Sequence, residues 1–449
     1  MKKTRIAILG AGESGVGAAL LAHAKGYDVF VSDYGEIAPT YKTELIENNI
    51  LFEEKGHSEA EILGAELIIK SPGISDKAKI VEDAVAKNIE LISEIEFASR
   101  FTKKPIIGIT GSNGKTTTTL LIHHLLLAGG HKAALAGNIG SSLARHVMAD
   151  SANVFVVELS SFQLDGVVDF KPQTAVLLNI TPDHLDRYDY DFEKYAQSKM
   201  SIARNITNED LLVYNLQDPE LQKRINKLPT ELAVNTFSVT EETSAKVIGE
   251  NLVFKTANGM VNIPLDCLPL KGEHNQLNLM AAILVALAYN VKKEVIIASL
   301  PLFRNHPNRL EYITTINGVD FINDSKATNV EAVYYALGSF NKPIIWIAGG
   351  QDKGNNYEQI EELVKQKVKA MVCLGLDNSK LIDSFSGLVE NISQTKLVEE
   401  AAEMAFNYAQ NEDVVLLSPA CASFDLFDSY AQRGDLFKKA VLNLKDSVA

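Results

Sequence analysis

Short runs of aliphatic and β-branched residues alternate with segments of helical spacing along almost the whole chain. The runs "RIAILG", "DVFVSD", "AELIIKSPG" and "NIELISE" come first, followed by "PIIGIT", "AALAGN", "VFVVELS" and "TAVLLNI". A third series contains "PIIWIAGG", "AMVCLG" and "DVVLLSPA". These runs are apolar nearly throughout instead of alternating with polar residues, as strands buried on both faces require. Such strands, joined by helices, build parallel sheets. Three series in 449 residues predict an α/β protein of three domains, 1–100, 101–304 and 305–449. The first boundary falls at "FASRFTKKP", ahead of Pro105, and the second at "LFRNHPNRLE", around Pro307. Two segments leave the alternation and predict antiparallel hairpins, one about Asn258-Gly259 and one about Asn317-Gly318.

Charge narrows the function. Lys and Arg total 43 against 57 Asp and Glu, a net charge of −14. A general nucleic-acid binder would carry a basic excess, so no nucleic-acid partner is expected, although a local basic pocket for an anionic substrate remains open. No apolar run approaches the roughly 18 residues of a membrane helix, so no membrane partner is expected either. The start, "MKKTRIAILGAGESG", has two lysines and an apolar run, but Glu13 breaks it too soon for a signal peptide and a first strand is the better reading. Cys267, Cys373 and Cys421 lie far apart without C-x-x-C spacing. That excludes a disulfide framework and a zinc ribbon, and fits a reducing cytoplasm. Cys421, in "SPACASF", reads as a buried structural thiol and not as a nucleophile.

Two glycine loops carry the chemistry. "GAGESG", Gly10 to Gly15, follows a strand, precedes a helix, and has Asp33 about twenty residues on. That pattern suits a dinucleotide, any nucleoside diphosphate, or close strand-to-helix packing alone. The second loop, "TGSNGKTTTT", lacks the usual early glycine of a phosphate loop, since Ile109 stands there between Gly108 and Gly111. Backbone N–H groups from Gly111 through Ser112, Asn113 and Gly114 to Lys115 can still surround phosphate oxygens at a helix start. Lys115 supplies a charge near the β and γ phosphates, and the Thr116 hydroxyl suits Mg²⁺. Glu158, ending the strand "VFVVEL", is a second hard ligand for that ion. His123 and His124 are adjacent in mid-helix, face different ways, and read as structural.

"TGSNGKTT", "ELSSFQL", "NITPDHLDRY", "SK" at 198–199, "GEHNQLN" and "NDSKATN" occur in one order over most of the chain. Together they resemble the ATP-dependent Mur ligases, which assemble the peptide of bacterial peptidoglycan. Within that family "SSFQL", "NDSKATN" and "LLSPACASFD" are similar to the branch that joins D-glutamate to UDP-N-acetylmuramoyl-L-alanine. The resemblance implies an N-terminal Rossmann-like UDP-binding domain, a central P-loop-like ATPase domain and a C-terminal Rossmann-like domain for the amino acid. It also explains the unusual loop as the family's T-G-x-N-G-K-T form. ATP would convert the carboxylate of the UDP-linked substrate to an acyl phosphate, which the amine of D-glutamate attacks. Charge neutralisation by Lys and two Mg²⁺ ions would dominate that first step, where two anions meet.

The resemblance assigns residues as well. Gly111, Ser112, Asn113, Gly114, Lys115, Thr116 and Thr117 would hold ATP, with Asn275, Arg309 and Asp324 gripping it from elsewhere in the chain. Thr116 and Glu158 would hold the first Mg²⁺. His184 and a carbamylated Lys199 would serve the second, and Lys115, His184 and Lys199 form the catalytic set. Lys326, Thr328, Lys353, Ser418 and Phe427 would receive substrate, the last three forming the D-glutamate pocket. Asn138 and Ser160 would face the sugar-peptide, and Ser14, Gly15 and Asp33 the uridine diphosphate. At Tyr34-Gly35 the chain departs from a polar or basic neighbour that would be easier to assign to uracil. A cytoplasmic monomer is expected.

Two other classes compete. An NAD-linked oxidoreductase built on "GAGESG" leaves the Gly-Lys-Thr loop, Glu158 and Lys199 without a task. A nucleotide-hydrolysing switch protein leaves "GAGESG" unexplained and predicts turnover without an acyl acceptor.

Overall fold

The structure, a computed structural model, describes residues 3–150, 152–229, 231–257, 259–270 and 272–448. The four runs of the first series become β1 (Arg5–Leu9), β2 (Asp28–Ser32), β4 (Leu67–Lys70) and β5 (Glu90–Ile92), and with the short β3 (Leu51–Glu53), which was not among the runs, they form a five-stranded parallel sheet. Its spatial order is β3-β2-β1-β4-β5, so the order reverses between β1 and β4. Ligands of open parallel sheets sit beyond the carboxyl ends of strands at such a reversal.

The second series gives β6 (Ile106–Thr110), β7 (Ala133–Gly137), β8 (Val154–Glu158) and β9 (Thr174–Leu177), and the chain after it adds β10 (Leu211–Asn215), β11 (Ala233–Phe237) and β12 (Ala245–Ile248), which were not among the runs, and β13 (Asn251–Thr256) and β14 (Gly259–Pro264). They make one nine-stranded sheet, ordered β14-β13-β12-β11-β10-β9-β6-β8-β7. Pairing is parallel from β7 across to β12 and antiparallel from β12 to β14. The hairpin expected near 258 is present as β13 and β14, paired Thr256 to Gly259, while Asn258 itself lies outside the described residues.

The third series gives β15 (Glu311–Ile316), β16 (Val319–Asn323), β17 (Ile344–Gly349), β18 (Val368–Leu374), β19 (Asn391–Thr395) and β20 (Val414–Ala420). This six-stranded sheet runs β15-β16-β20-β17-β18-β19. Only β15 is antiparallel, closing the hairpin expected at Asn317-Gly318, where both residues have positive φ as a two-residue turn of this hand needs.

The chain divides into two compact units, residues 1–269 with 276–303 and residues 270–275 with 304–449. The first unit holds two sheets yet shares one apolar core, which takes Ile6 and Val31 from one sheet and Phe155 and Leu177 from the other. Three carboxylates of the N-terminal layer reinforce the join by accepting backbone N–H groups of the central layer. Glu13 accepts from Ser142 (2.8 Å) and Glu94 from Ala144 (2.6 Å). Glu96, fully buried, accepts from Val168, Asp169 and Phe170 at 2.9, 3.0 and 2.8 Å. A buried carboxylate with three such donors is well compensated for its lost hydration.

Candidate functional site

The loop after β6 leads into the helix Lys115–Ala128, with Gly114 as its N-cap at φ 83°. A Cβ there would lie 2.4 Å from Asn278 Oδ1, so close approach as well as conformation demands glycine. The loop is pinned from the segment after β9. Asn179 accepts from the Ser112 amide through its carbonyl (3.0 Å) and from the Asn113 amide through Oδ1 (2.8 Å). Its Nδ2 donates back to the Asn113 carbonyl at 3.1 Å. The Ser112 hydroxyl donates to the Thr181 carbonyl (2.8 Å) and lies 2.9 Å from the Tyr195 hydroxyl. The Ser112 and Asn113 amides, expected to face phosphate, are therefore engaged here in holding the loop's shape.

Two lysines converge on that loop. Lys115 Nζ donates to the carbonyls of Gly111 (2.6 Å) and Ser112 (2.7 Å), and Lys199 Nζ donates to the same Gly111 carbonyl at 2.8 Å. Lys199 sits in the helix Phe192–Met200, only 2 % exposed, with its ammonium 4.7 Å from the Tyr195 ring centre. Burial and then the Lys115 charge hold its pKa well below the ordinary lysine value, against opposing pull from Asp183, Asp165 and Glu158. That environment shifts the balance from the ammonium toward the neutral amine.

Glu158 stands at the end of β8, which pairs in parallel with β6. It is 1 % exposed; Asn138 Nδ2 donates to its Oε1 (2.7 Å), and Oε2 is buried without a hydrogen-bond partner. A buried carboxylate oxygen left bare beside a phosphate loop, with the Thr116 hydroxyl in the first turn of the helix, fits a hard cation such as Mg²⁺. Among the described residues no three His, Cys, Asp or Glu side chains cluster as a self-sufficient metal centre. Mg²⁺ commonly takes one or two carboxylates and completes its shell with phosphate and water, so the two observations agree. Asn138, expected to touch the sugar-peptide, directs its amide to Glu158 in this structure.

His184 caps a 3-10 turn at φ 52°, with its ring 5.2 Å from Phe162 and its Nε2 3.6 Å from Asp183 Oδ2. Ser160 forms a capping box with Gln163, so its hydroxyl serves the short helix Ser161–Leu164. His123 and His124 bond the carbonyls of Ala133 and Ser299, as structural histidines do.

At the first glycine loop a Cβ on Gly15 would sit 1.9 Å from the Gly10 carbonyl, whereas one on Gly12 would meet nothing within 4 Å. The loop is thus tight inside and open outside, at the N-terminus of the helix Glu13–Ala24. Asp33 is held in place at this loop: its Oδ2 accepts from the Ala11 amide (2.7 Å) and its Oδ1 from the Gly35 amide (2.8 Å). The Ser14 hydroxyl faces Ser71 at 3.5 Å.

In the second unit Asp324 is buried, accepts from the Leu310 amide (3.1 Å) and the Ser418 hydroxyl (2.9 Å), and is pushed by burial up to about 7. Ser418, fully buried in β20, thus donates its hydroxyl hydrogen bond to Asp324 in this structure. Lys353 is exposed in the turn after β17, and Phe427 packs on the sheet's core. Lys326 Nζ lies 5.3 Å from the Tyr430 ring, and the Thr328 amide donates to the Lys326 carbonyl at 3.0 Å. Asn275 is buried in the first turn of the helix Glu273–Ala288, and Arg309 is half-buried near Asp324. The neighbouring His274 is held down to about 4 by burial and by Arg309. Cys373 and Cys421 are buried, with thiols pushed up to about 12 and about 11, which makes them inert. Asn179, Asn278 and Asp183 were given no role in the sequence reading, although each lies inside a quoted motif, "NITPDHLDRY" or "GEHNQLN"; their role depends on which loops meet.

Three family models match the chain: a Mur ligase MurD-like N-terminal domain over residues 4–93, a Mur ligase middle domain over 109–286, and a Mur ligase glutamate ligase domain over 308–421. A UDP-N-acetylmuramoylalanine–D-glutamate ligase of Porphyromonas gingivalis W83 is 51 % identical over 446 residues, covering 98 % of this chain and 99 % of that one. The enzyme so named from Christiangramia forsetii is 48 % identical, covering 98 % and 99 %. Among solved structures, a pseudomurein peptide ligase type C from Methanothermus fervidus superposes with TM-score 0.62 at 20 % identity, covering 99 % of this chain and all of that one. A UDP-N-acetylmuramate–alanine ligase from Thermotoga maritima gives 0.61 at 20 % identity, covering 98 % and 100 %. At that identity the two structures speak for the fold alone.

Proposed function

Because the chain belongs to the Mur ligase family, we propose that its phosphate loop, Lys115, Lys199 and Glu158 activate a carboxylate with ATP. The reaction is the ATP-dependent joining of D-glutamate to UDP-N-acetylmuramoyl-L-alanine, a step of peptidoglycan precursor synthesis. The carrying observation is local: two lysines meet one loop carbonyl beside a buried carboxylate with a bare oxygen.

Lys115 lies where the γ phosphate would arrive, and its loop carbonyls would yield it to phosphate oxygens. It then neutralises charge as the substrate carboxylate attacks phosphorus, ADP leaves, and the acyl phosphate forms. The amine of D-glutamate attacks the acyl carbon, loses a proton, and phosphate departs as the amide forms. Mg²⁺, held by Glu158 and Thr116, would supply further neutralisation of the phosphates. A second ion at His184 fits only if Lys199 carries a carbamate, since an ammonium offers no lone pair and a carbamate offers two hard oxygens. The same change turns repulsion between Lys199 and Lys115 into attraction.

Asn275, Arg309 and Asp324 are the nucleotide contacts proposed in the second unit, and Lys326, Thr328, Lys353, Ser418 and Phe427 the contacts for the amino-acid substrate. Ser14 and Gly15 present the first loop to a diphosphate. The three functional domains are 1–100, 101–304 and 305–449, in a monomer acting in the cytoplasm. No helix among the described residues is long and apolar enough to cross a membrane. The test is ADP release with each substrate omitted in turn. Turnover that needs both UDP-N-acetylmuramoyl-L-alanine and D-glutamate is expected, and sustained turnover without an amino acid would overturn the reading.

A further inference from the structure

We infer that Tyr34, backed by His57, is an aromatic platform that stacks on the base of the nucleotide held at the first glycine loop. The inference rests on the reading of that loop as a nucleoside diphosphate site. Tyr34 is 78 % exposed, among the most exposed large side chains in the protein, although it lies two residues beyond a buried strand. Its ring centre is 5.7 Å from that of His57, at an interplanar angle of 51°. His57 is held in turn by Nδ1, 2.7 Å from the hydroxyl of Ser32, which is fully buried.

The backbone beneath the rings is fixed. Asp33 ties the turn to the glycine loop through the Ala11 and Gly35 amides, and the Lys55 amide donates to the Gly35 carbonyl at 2.9 Å. Both rings therefore stand on braced turns that follow the carboxyl ends of β2 and β3. In an open parallel sheet, phosphates sit on the helix after β1, and the nucleoside extends toward the end of β2. Here each Asp33 oxygen already accepts one backbone amide, which fixes the carboxylate in place beside the turn. What that end offers a planar base is the face of Tyr34. Stacking tolerates any base, so the platform contributes affinity, and choice among bases must come from groups at its rim.

The experiment is calorimetric titration of the full chain with UDP and, separately, with inorganic pyrophosphate. Tyr34→Ala is expected to weaken UDP about fivefold or more, the lower end for loss of one base–aromatic stack, while leaving pyrophosphate affinity within about twofold. Tyr34→Phe keeps the ring and should stay within about threefold of wild type for UDP. Since Tyr34 is exposed, both variants should melt where the wild type does. Gly12→Asp tests the underlying reading independently: a Cβ there meets nothing within 4 Å, and the added charge should repel any diphosphate. If Gly12→Asp loses UDP but Tyr34→Ala binds it like wild type, the platform is refuted and the nucleotide site stands. If Tyr34→Phe is as weak as Tyr34→Ala, a hydroxyl contact replaces stacking and the inference fails. If wild type does not bind UDP, or Gly12→Asp binds it unchanged, the site and the platform fall together.

Discussion

Lys115 and Lys199 share the Gly111 carbonyl, but their removal should have different consequences. Lys115→Ala should lower ADP release at least a hundredfold, the usual scale for losing a preorganised charge at a reacting centre. UDP affinity should stay within about threefold, because the first glycine loop is built on a different sheet. Equal loss of both in a folded variant would remove Lys115 from the chemistry. Lys199→Ala should be as impaired as Lys115→Ala yet partly recover with formate or acetate, which would refill the space of a carbamate. Lys199→Arg should stay inactive, since it keeps the positive charge and cannot take up CO₂. Full activity of the Arg variant would rule out carbamylation. The two lysines and Glu158 were legible from motif and strand position. That Asn138 serves Glu158, and that the Ser112 hydroxyl braces the loop, was not, because each depends on a partner from a distant loop.

Elements were legible where burial set the pattern. The apolar runs became strands, all but those of β5 and β7 away from the sheet edges, and the positive-φ pair Asn317-Gly318 marked its hairpin. The short helix Glu94–Ser99 shows what pattern alone conceals, for its first-turn acids Glu94 and Glu96 are buried clamps. Glu94 is pushed by burial, and further by Glu13, up to about 7 from an ordinary 4.5, while the Ala144 amide pulls the other way. Between those values the folded chain holds a proton that the unfolded chain has released. Stability therefore falls as pH rises through that window, by up to about 3 kcal/mol for this group. Glu94→Gln keeps an acceptor for Ala144 and removes the charge. The variant should melt above wild type at pH 8, with the gap closing as pH falls to 5. A variant that melts lower at pH 8 would show that ionised Glu94 stabilises the helix.

At the scale of the whole chain, three α/β series were readable, but the sequence did not reveal that the first two sheets consolidate into one compact unit. Periodicity reports which face of a strand or helix is buried, not which element covers it. The N-terminal and central layers share an apolar core, and Glu13, Glu94 and Glu96 supply hydrogen-bond acceptors across their join. A ligand that binds the native first layer should therefore stabilise the second as well, because opening either exposes the common core. At a hundred times its dissociation constant UDP would add about 2.7 kcal/mol to any opening that releases it. Hydrogen exchange with UDP at that level should show slowed exchange in β6, β8 and β9 as well as in β1 and β4, while the strands of the second unit exchange as before. Replacing Glu96 by Ala leaves the amides of Val168, Asp169 and Phe170 without their acceptor, and should confine the slowing to the first sheet. Protection confined to β1–β5 in the wild type would mean that the shared core opens layer by layer, and the two sheets would then be separate cooperative units despite their packing.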